Sequence, residues 1–459
     1  MYNNQTQNTY PVVSYNDNRT SYRNQLPVLN PMHDKDGFDN IIPVNALNSH
    51  WYILAATRSG KSEFMKLVYL RLALASGSSI VLLDPHGDFA QQCAKMMNDK
   101  KDIIYIDPTL KKGYTPTINP FRLKKRDEAT IAIVAQELII AFESIIGVDF
   151  STNMEVLLTP LIYILLRKGD SGIDELIRFF DDENNADLVA YGLKSPIKSH
   201  VDFIQTQFKK GKFAKTKDAL ATKLQSFVNH PTFSNFVTGE STFNLEKAIN
   251  SNKIIIIRFP KGKMRKVLEP AAKLIMALIQ GIVFKRSDLP ETLRPKTHLI
   301  CDEYQNFFSQ MSDEILSESA KNNLFILGAH QYLSQLDGKS KDALMSGANI
   351  KIIGKNSNKD LKVMAEEIEV DIQLLKSLKQ GEFFIKVGSS PAVKIVTTDK
   401  FLGNNYSIDK VLWKQILKYQ RKKYYKKIEV ATAIGTQTEA LVDNSNLGTS
   451  LPIPNFDEE

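Results

Sequence analysis

The sequence predicts an α/β fold with a mostly parallel central sheet and one all-helical insertion. Two observations support this prediction: short apolar runs alternate with helical patterns along most of the 459 residues, and these runs stop between residues 126 and 250. Apolar runs of this kind are typical of strands that are buried on both faces of a parallel sheet. The predicted strands are Trp51–Leu54, Ile80–Leu83, Ile103–Ile106, Lys253–Phe259, His298–Cys301, Leu324–Leu327 and Ile350–Ile353.

The insertion is predicted from its periodicity. Ile131, Val134, Leu138 and Phe142 recur every three or four residues, the spacing of one helix face. The polar ends of the chain have no such period and few large apolar residues, which is typical of disordered segments. We therefore predict a disordered arm (1–30), a core (31–125 and 251–405), a helical insertion (126–250), a basic C-terminal helix (406–428) and a disordered tail (429–459).

Composition limits the classes of protein that fit. With 59 Lys and Arg against 51 Asp and Glu, the formal charge is +8, which favours an anionic partner. Cys93 and Cys301 are the only cysteines and are widely separated, so a disulfide framework and a cysteine metal site are excluded. No apolar run approaches the roughly 20 residues of a membrane span, and the first residues lack the apolar centre of a signal peptide. We expect a cytoplasmic protein with no intrinsic membrane span.

A phosphate-binding loop is predicted after the first of these strands. Gly60-Lys61-Ser62 follows Trp51–Leu54 and precedes a helical pattern, so backbone N–H groups and a helix N-terminus would hold phosphates. Lys61 would neutralise the β- and γ-phosphates of ATP, and Ser62 would bind Mg²⁺. The first glycine of the usual motif is replaced by Ala55, which is tolerated if its φ is negative. The predicted nucleotide-binding residues are Thr57, Arg58, Ser59, Gly60, Lys61 and Ser62. The alternative is a helix N-terminus that carries a lysine by chance.

Two further strands end in polar residues that suit hydrolysis. Asp302 and Glu303 follow the strand His298–Cys301; Asp302 would hold Mg²⁺, and Glu303 would act as the general base for the attacking water. An acidic turn exposed to solvent is the alternative explanation. Gln331, after the next strand, is the candidate γ-phosphate sensor, and we expect its neighbour His330 to be a packing residue.

These motifs together resemble the HerA/FtsK class of P-loop translocases, especially its HerA-like and conjugative-transfer branches. The matching segments are Thr57–Ser62, Leu83–Asp88, Ile118–Phe121, Asp302–Phe307 and Ala329–Leu336, in the expected order between about residues 45 and 400. The resemblance implies a RecA-like core, a homo-oligomeric hexamer with ATP between subunits, and a central channel for double-stranded DNA.

The family's Arg-Lys pair, whose arginine reaches the neighbouring subunit's nucleotide, is replaced here. The corresponding stretch has Ala320 followed by Lys321, so we expect Lys321 to supply this charge, with Arg286 and Lys355 as alternatives. Lysine lacks the bidentate geometry of arginine.

Two basic segments leave the DNA contacts open. Residues 410–427 combine eight Lys or Arg with aromatic residues, which suits phosphate contact but equally a helix that packs Trp413 and Ile416 on the core. Residues 209–217 are predicted to form an exposed loop.

The sequence therefore predicts an ATP-hydrolysing DNA translocase in conjugative transfer, DNA processing or packaging, with a nuclease, relaxase or membrane transfer complex as possible partners. A nucleotide-binding scaffold or switch with weak ATPase activity and a protein-secretion ATPase are the alternatives.

Overall fold

The computed structural model describes residues 28–29, 42–74, 77–97, 103–307, 316, 318–397 and 407–428. The chain divides into two units, Met1–Lys427 and Ile428–Glu459, and all described elements lie in the first. The predicted disordered arm and tail, apart from residues 28–29, fall outside the described residues.

Ten strands form the central sheet, in the order β1-β11-β10-β9-β2-β8-β7-β3-β6-β4. From β9 to β4 all neighbours are parallel, whereas β10 is antiparallel to both of its neighbours. The strands are β1 (Val28–Leu29), β2 (Trp51–Leu54), β3 (Ser78–Asp84), β4 (Ile103–Ile106), β6 (Ile254–Arg258), β7 (Lys296–Asp302), β8 (Leu324–His330), β9 (Ile350–Gly354), β10 (Glu382–Val387) and β11 (Val393–Thr397). A separate pair joins β5 (Tyr114–Thr115) to β12 (Lys426–Lys427). All seven predicted strands are present, and the predicted fold class is confirmed.

Helices cover both faces of the sheet because successive strand residues point to opposite sides. In β2, Tyr52 and Leu54 join one apolar core, and Trp51 and Ile53 join the other. The helices are α1 (Lys61–Leu74), α2 (Asp88–Lys95), α3 (Glu128–Ile146), α4 (Thr152–Lys168), α5 (Ile173–Phe179), α6 (Ala186–Gly192), α7 (Lys198–Thr206), α8 (Ala214–Val228), α9 (Pro231–Val237), α10 (Leu245–Ile249), α11 (Lys261–Phe284), α12 (Gly338–Gly347), α13 (Asn358–Ile368), α14 (Ile372–Lys376) and α15 (Lys410–Tyr424).

The two faces are covered by different parts of the chain. Helices α1, α2 and α15 pack on one face, and α11 with the helices α3 to α10 packs on the other. Between β5 and β6 every described regular element is helical. This stretch begins at Asp127, whose side chain caps α3 by accepting a hydrogen bond from the Thr130 N–H, at 3.0 Å.

Two described stretches, Glu128–Ile146 and Lys261–Asp288, are long and apolar enough to cross a membrane by length and composition alone. They pack together in the core: the Lys273 ammonium donates to the Ser144 carbonyl at 3.0 Å, and an added Cβ on Gly281 would lie 3.1 Å from Val134. Within an apolar 18-residue segment of each stretch, half of the residues of the first and 83% of those of the second are buried. Their apolar surface is therefore used to cover the sheet.

The basic helix α15 protects the free edge of β4. The Gln420 side chain accepts a hydrogen bond from the Tyr105 N–H at 3.0 Å and donates to the Ile103 carbonyl at 2.8 Å. The Tyr425 hydroxyl donates to the Tyr105 carbonyl and accepts from the Asp107 N–H, each at 2.9 Å. These side chains take the place of a neighbouring strand, so β4 does not present unpaired backbone groups that could pair with another chain.

The apolar side of α15 packs on the core, which is one of the two interpretations that the sequence of residues 410–427 allowed. Trp413 and Ile416 are buried in the core, and Trp413 meets Tyr105 edge to face at a centroid distance of 5.5 Å. The lysines at 410, 414, 418 and 422 are exposed to solvent.

Candidate active site

The loop between β2 and α1 tolerates alanine at its first position. Ala55 is fully buried, and its N–H donates to the His330 carbonyl at 3.2 Å. It is absent from the described residues with positive φ, so the freedom of glycine is not needed there. Ala55 therefore has the negative φ that alanine requires at this position of the loop.

Gly60 and Arg58 carry the left-handed turns of this loop, with φ values of 100° and 61°. The Gly381 N–H donates to the Ser59 carbonyl at 2.8 Å, and a Cβ on Gly60 would lie 3.1 Å from the Gly381 backbone. The turn that precedes β10 therefore supports the loop and leaves no room for a side chain at Gly60. Arg58 is exposed.

Lys61 lies between two carboxylates at the end of β7, that of Asp302, the last residue of the strand, and that of Glu303, which follows it. Its ammonium donates hydrogen bonds to Asp302 and to Glu303, the latter at 3.1 Å, and the lysine is only 7% exposed. Burial opposes the charge, but the attraction of both carboxylates outweighs it and raises the pKa of Lys61. The structure thus brings Lys61 together with two predicted site residues that lie more than 240 positions further along the chain.

Glu303 is held as an ionised carboxylate. Besides Lys61, it accepts hydrogen bonds from the side-chain amides of Gln331 at 2.6 Å and Gln305 at 2.8 Å. Burial would raise its pKa, but the charge of Lys61 and these hydrogen bonds together lower the pKa of Glu303 to about 2. Its φ of 52° places the residue in the left-handed region, directly after the last residue of β7.

Gln331 connects the loop to Glu303. Its side-chain oxygen accepts from the Thr57 hydroxyl at 2.7 Å, while its NH₂ group donates to Glu303. Its backbone N–H donates to the Gln335 side chain, and its carbonyl accepts from the Asn356 side chain, both at 2.9 Å. The side chain is therefore fixed at both ends, which suits a residue that responds to the γ-phosphate.

Asp84 is a site carboxylate that the sequence analysis did not single out. It ends β3, the neighbour of β7, and is fully buried. Burial raises the pKa of Asp302 against the opposing charge of Lys61, and Asp84 adds to the increase. The Asp84 carboxylate accepts from the N–H groups of His86 and Ala90, both at 2.8 Å. The available signal was the same as for Asp302: a carboxylate directly after an apolar strand.

His330 is a packing residue, as expected. Its ring lies 3.1 Å from the Tyr52 hydroxyl and is fully buried. Burial, with the charge of Lys61 adding to it, lowers the pKa of His330 to about 3. The imidazole is neutral at physiological pH.

The loop offers oxygen ligands for phosphate and Mg²⁺. Within the described part of the chain, the hydroxyl of Ser62 has no hydrogen bond, and that of Ser59 is buried without a partner. No described group of three or more His, Cys, Asp or Glu residues could hold a metal ion. Mg²⁺ is usually held by one or two protein oxygens together with phosphate and water, which Ser62 and Asp302 fit.

Lys321 lies far from Lys61 in its own subunit. It belongs to the 3-10 turn Ala320–Asn322, which precedes β8, whereas Gln331 follows the other end of that strand. A strand of seven residues is about 20 Å long, so Lys321 and Gln331 lie about that far apart. It is exposed and pairs with Glu318 at 2.9 Å. Any contact with a nucleotide would have to be made in a neighbouring subunit.

The alternatives to Lys321 differ in position. Arg286 is 2% exposed and donates to the side chains of Asn250 and Thr297 at 2.9 and 2.8 Å, so it cannot reach another subunit. This position disfavours Arg286 as the trans residue, because its guanidinium holds the 3-10 turn that follows α11 against β7. Lys355 is exposed beside the loop, where its carbonyl accepts from the Ala56 N–H at 3.0 Å.

The basic segment 209–217 is not simply an exposed loop. It contains a 3-10 turn, Gly211–Phe213, and the start of α8. Lys217 is 3% exposed, pairs with Asp182 at 2.6 Å and lies 3.7 Å from the centre of the Phe208 ring. The prediction failed for this lysine because its partners are distant in sequence.

Comparison with known proteins shows the family to which the chain belongs. Residues 32–281, more than half of the chain, match the family described as "DUF87: Helicase HerA, central domain". The chain belongs to this HerA central-domain family. It is 23% identical over 388 residues to the DNA double-strand break repair helicase HerA of Saccharolobus solfataricus, covering 81% of this chain and 69% of the relative.

Solved structures show the same fold. The plasmid coupling protein TrwB in complex with ADP and Mg²⁺ superposes with a TM-score of 0.58 at 17% identity, covering 85% of this chain and 93% of TrwB. VirB4 of Thermoanaerobacter pseudethanolicus gives a TM-score of 0.51 at 17% identity, covering 76% and 89%. The predicted HerA/FtsK class and the prediction of a P-loop ATPase are confirmed, and the expected cofactors ATP and Mg²⁺ agree with the ligands of TrwB.

Proposed function

We propose that this HerA-family ATPase moves double-stranded DNA through a ring of identical subunits. The observation that carries the proposal is the contact of Lys61, Glu303 and Gln331 at one edge of the sheet, in a chain of this family. The named relative is a DNA repair helicase, and TrwB is a plasmid coupling protein, so both names point to DNA as the substrate.

Nucleotide binding follows from the loop. The first N–H groups of α1 have no partner within the helix and are available to bind an anion, and Lys61 adds its charge there. Thr57, Arg58, Ser59 and Gly60 form the remainder of the phosphate cradle. Ser62 and Asp302 would hold Mg²⁺, which neutralises phosphate charge during transfer.

Glu303 serves as the general base for hydrolysis. Its ionised carboxylate accepts a proton from the attacking water, which forms the new bond to the γ-phosphorus as the bond to the leaving ADP oxygen breaks. The contacts of Gln331 with both Glu303 and Thr57 allow it to report γ-phosphate loss from the loop to the carboxylate.

A ring is needed to complete the site. Lys321 is the proposed substitute for the missing trans arginine, because it is exposed at the opposite edge of the subunit. We expect Lys321→Ala to slow hydrolysis in the assembled ring about tenfold or more, with the exposed Lys296→Ala as the matched control. Undiminished turnover of Lys321→Ala, measured as steady-state ATP hydrolysis, would assign the trans charge to another residue.

The cellular setting we propose is cytoplasmic, in DNA processing, conjugative transfer or packaging. A nuclease, a relaxase or a membrane transfer complex would then be the partner that determines which DNA is moved. The matched HerA relative is named for double-strand break repair, which favours DNA processing among the three.

The experiment is steady-state ATP hydrolysis without nucleic acid, with single strands and with long duplex, using Lys61→Ala as the control. The proposal predicts strong stimulation by duplex that is lost in Lys61→Ala. Tight ATP binding with slow hydrolysis that ignores DNA would favour the scaffold or switch, and stimulation by a polypeptide alone would favour a protein-secretion ATPase.

A further inference from the structure

A second cationic feature lies on the nucleotide edge of the sheet, outside the site described above. The start of α11 carries Lys261, Lys263, Arg265 and Lys266, and all four are exposed. Among the described residues, none of their side chains has a hydrogen bond or an ion pair. Four positive charges in six residues repel one another, and the described fold does not compensate them.

The backbone holds this segment at the sheet edge. The Lys261 N–H donates to the Pro85 carbonyl at 2.8 Å, and Met264 is fully buried in the core below. Helix α11 is broken at Arg265, whose φ and ψ are 7° and −84°. A Cβ on Gly262 would meet no atom within 4 Å, so the tip of the turn is open to solvent. The segment is anchored and its cations face outward.

Its position separates it from the nucleotide of its own subunit. In the sheet order, β6 lies four strands from β2, which is about 19 Å at the usual strand spacing. The residues that lead into it do contact the chain around Asp84. The Phe259 N–H donates to the Asp84 carbonyl at 2.9 Å, and the Arg258 side chain donates to the Gly87 carbonyl at 3.0 Å. The segment is therefore a separate cationic surface joined to the site through β3.

We propose that residues 261–266, here named the basic turn, contact the phosphate backbone of the translocated duplex. This inference rests on the proposed function and identifies its DNA-contacting surface. A short, exposed set of charges can hold phosphates, and phosphate contacts carry no sequence information, as a translocase that moves along any sequence requires. The link from β6 to Asp84 gives a physical route from DNA contact to the hydrolytic site.

Helix α15 offers a control with the same charge. Its lysines at 410, 414, 418 and 422 are also exposed. Replacing these four by Gln changes the net charge as much as the quadruple variant of the basic turn, Lys261→Gln, Lys263→Gln, Arg265→Gln and Lys266→Gln. A difference between the two variants therefore reports position and not overall charge.

The test measures duplex affinity of the full-length chain by fluorescence anisotropy over a series of salt concentrations, together with ATP hydrolysis in the absence of DNA. For the basic-turn variant we expect affinity to fall about tenfold or more. The slope of log affinity against log salt should decrease by up to about 3.6, since each of the four lost phosphate contacts removes about 0.9. Its DNA-independent hydrolysis should equal that of the wild type, and the α15 variant should bind duplex like the wild type.

Several results would overturn the inference. Equal losses in both quadruple variants would mean unspecific charge attraction, and loss of DNA-independent hydrolysis with intact duplex affinity would mean that the basic turn serves a neighbour's nucleotide. Wild-type affinity in the basic-turn variant would place the DNA contact elsewhere. If the wild-type chain itself fails to bind duplex, the proposed function fails, and not this assignment alone.

Discussion

Glu303 makes the largest number of functional contacts of any single side chain in the site. Its two carboxylate oxygens accept hydrogen bonds from Lys61, Gln331 and Gln305, and these bonds keep the side chain ionised and oriented. The same contacts connect the loop, the acidic strand end and the sensor strand. At the scale of one residue, we therefore propose that hydrolysis depends on this carboxylate.

The substitution Glu303→Gln tests this role. We expect turnover to fall by about 100-fold or more, because a general base of this kind contributes 10²- to 10⁴-fold. ATP affinity should change little, because Lys61 and the loop remain. Single-turnover hydrolysis and equilibrium nucleotide binding measure the two effects, with the exposed Glu291→Gln as control. Equal loss of binding and turnover would assign Glu303 a structural role.

The buried histidines make stability depend on pH. His298 lies 3.1 Å from the Leu47 carbonyl and from the Ser78 hydroxyl, and burial lowers its pKa to about 4 despite the carbonyl. In the unfolded chain this imidazole is protonated below about pH 6.5, whereas in the folded chain it stays neutral down to about pH 4. The folded state therefore loses stability as the pH falls through this window.

We expect His298 alone to remove up to about 2 kcal/mol of folding free energy between pH 7 and pH 5. Urea unfolding at several pH values measures this loss, and His298→Gln should show a correspondingly smaller pH dependence than the wild type. The exposed His86→Gln is the control and should keep the wild-type slope. An unchanged slope in His298→Gln would contradict the assignment.

At the scale of elements, α15 acts as the cover of the β4 edge. Gln420 is fully buried and satisfies two backbone groups of that strand, whereas Gln415 on the same helix is exposed. The basic composition of α15 is confined to its outer face. The helix is thus part of the fold, and its lysines provide the matched charge control for the basic turn.

The substitution Gln420→Ala should destabilise the chain by about 2 to 4 kcal/mol, because it leaves a buried N–H and a buried carbonyl without partners. Gln415→Ala should leave the free energy of unfolding nearly unchanged. Chemical denaturation of the two variants measures the difference. Equal stability of both would show that the edge of β4 does not need this cover.

The elements differ in how well the sequence predicts them. Central strands such as Ile254–Arg258 are continuous apolar runs because both faces are buried, so they could be predicted. Strands β10 and β11 were missed, because Glu382, Lys386 and Lys394 interrupt their apolar pattern. Both strands lie near the end of the strand order that begins with β1.

Contacts between distant parts of the chain could not be predicted from local patterns. Asp84 approaches Asp302 only because β3 and β7 are neighbours in the sheet. The burial of Lys217 depends on Asp182, and that of Arg286 depends on Asn250 and Thr297. By contrast, Asp302 ends an apolar strand, Gln331 directly follows one, and Lys61 is separated from β2 by a short loop only. The ends of parallel strands meet at one edge of the sheet, so these residues could be placed together.

At the scale of the whole molecule, one edge of the sheet carries both the hydrolytic residues and the basic turn. The carboxyl ends of β2, β8, β7 and β3 supply the site, and β6 leads into the basic turn. Lys321 lies before the amino end of β8, at the opposite edge of the sheet, where it could contact the nucleotide of another subunit but not that of its own. This arrangement suits a ring in which one subunit's hydrolysis is completed by its neighbour while DNA passes the cationic surface.

The most direct test of this account is displacement of a triplex-forming strand from a long duplex by the purified protein. The account predicts displacement that requires hydrolysable ATP and is lost in Glu303→Gln, although that variant still binds nucleotide. Hydrolysis of ATP by the wild-type protein on the same duplex, with no displacement of the third strand, would contradict translocation.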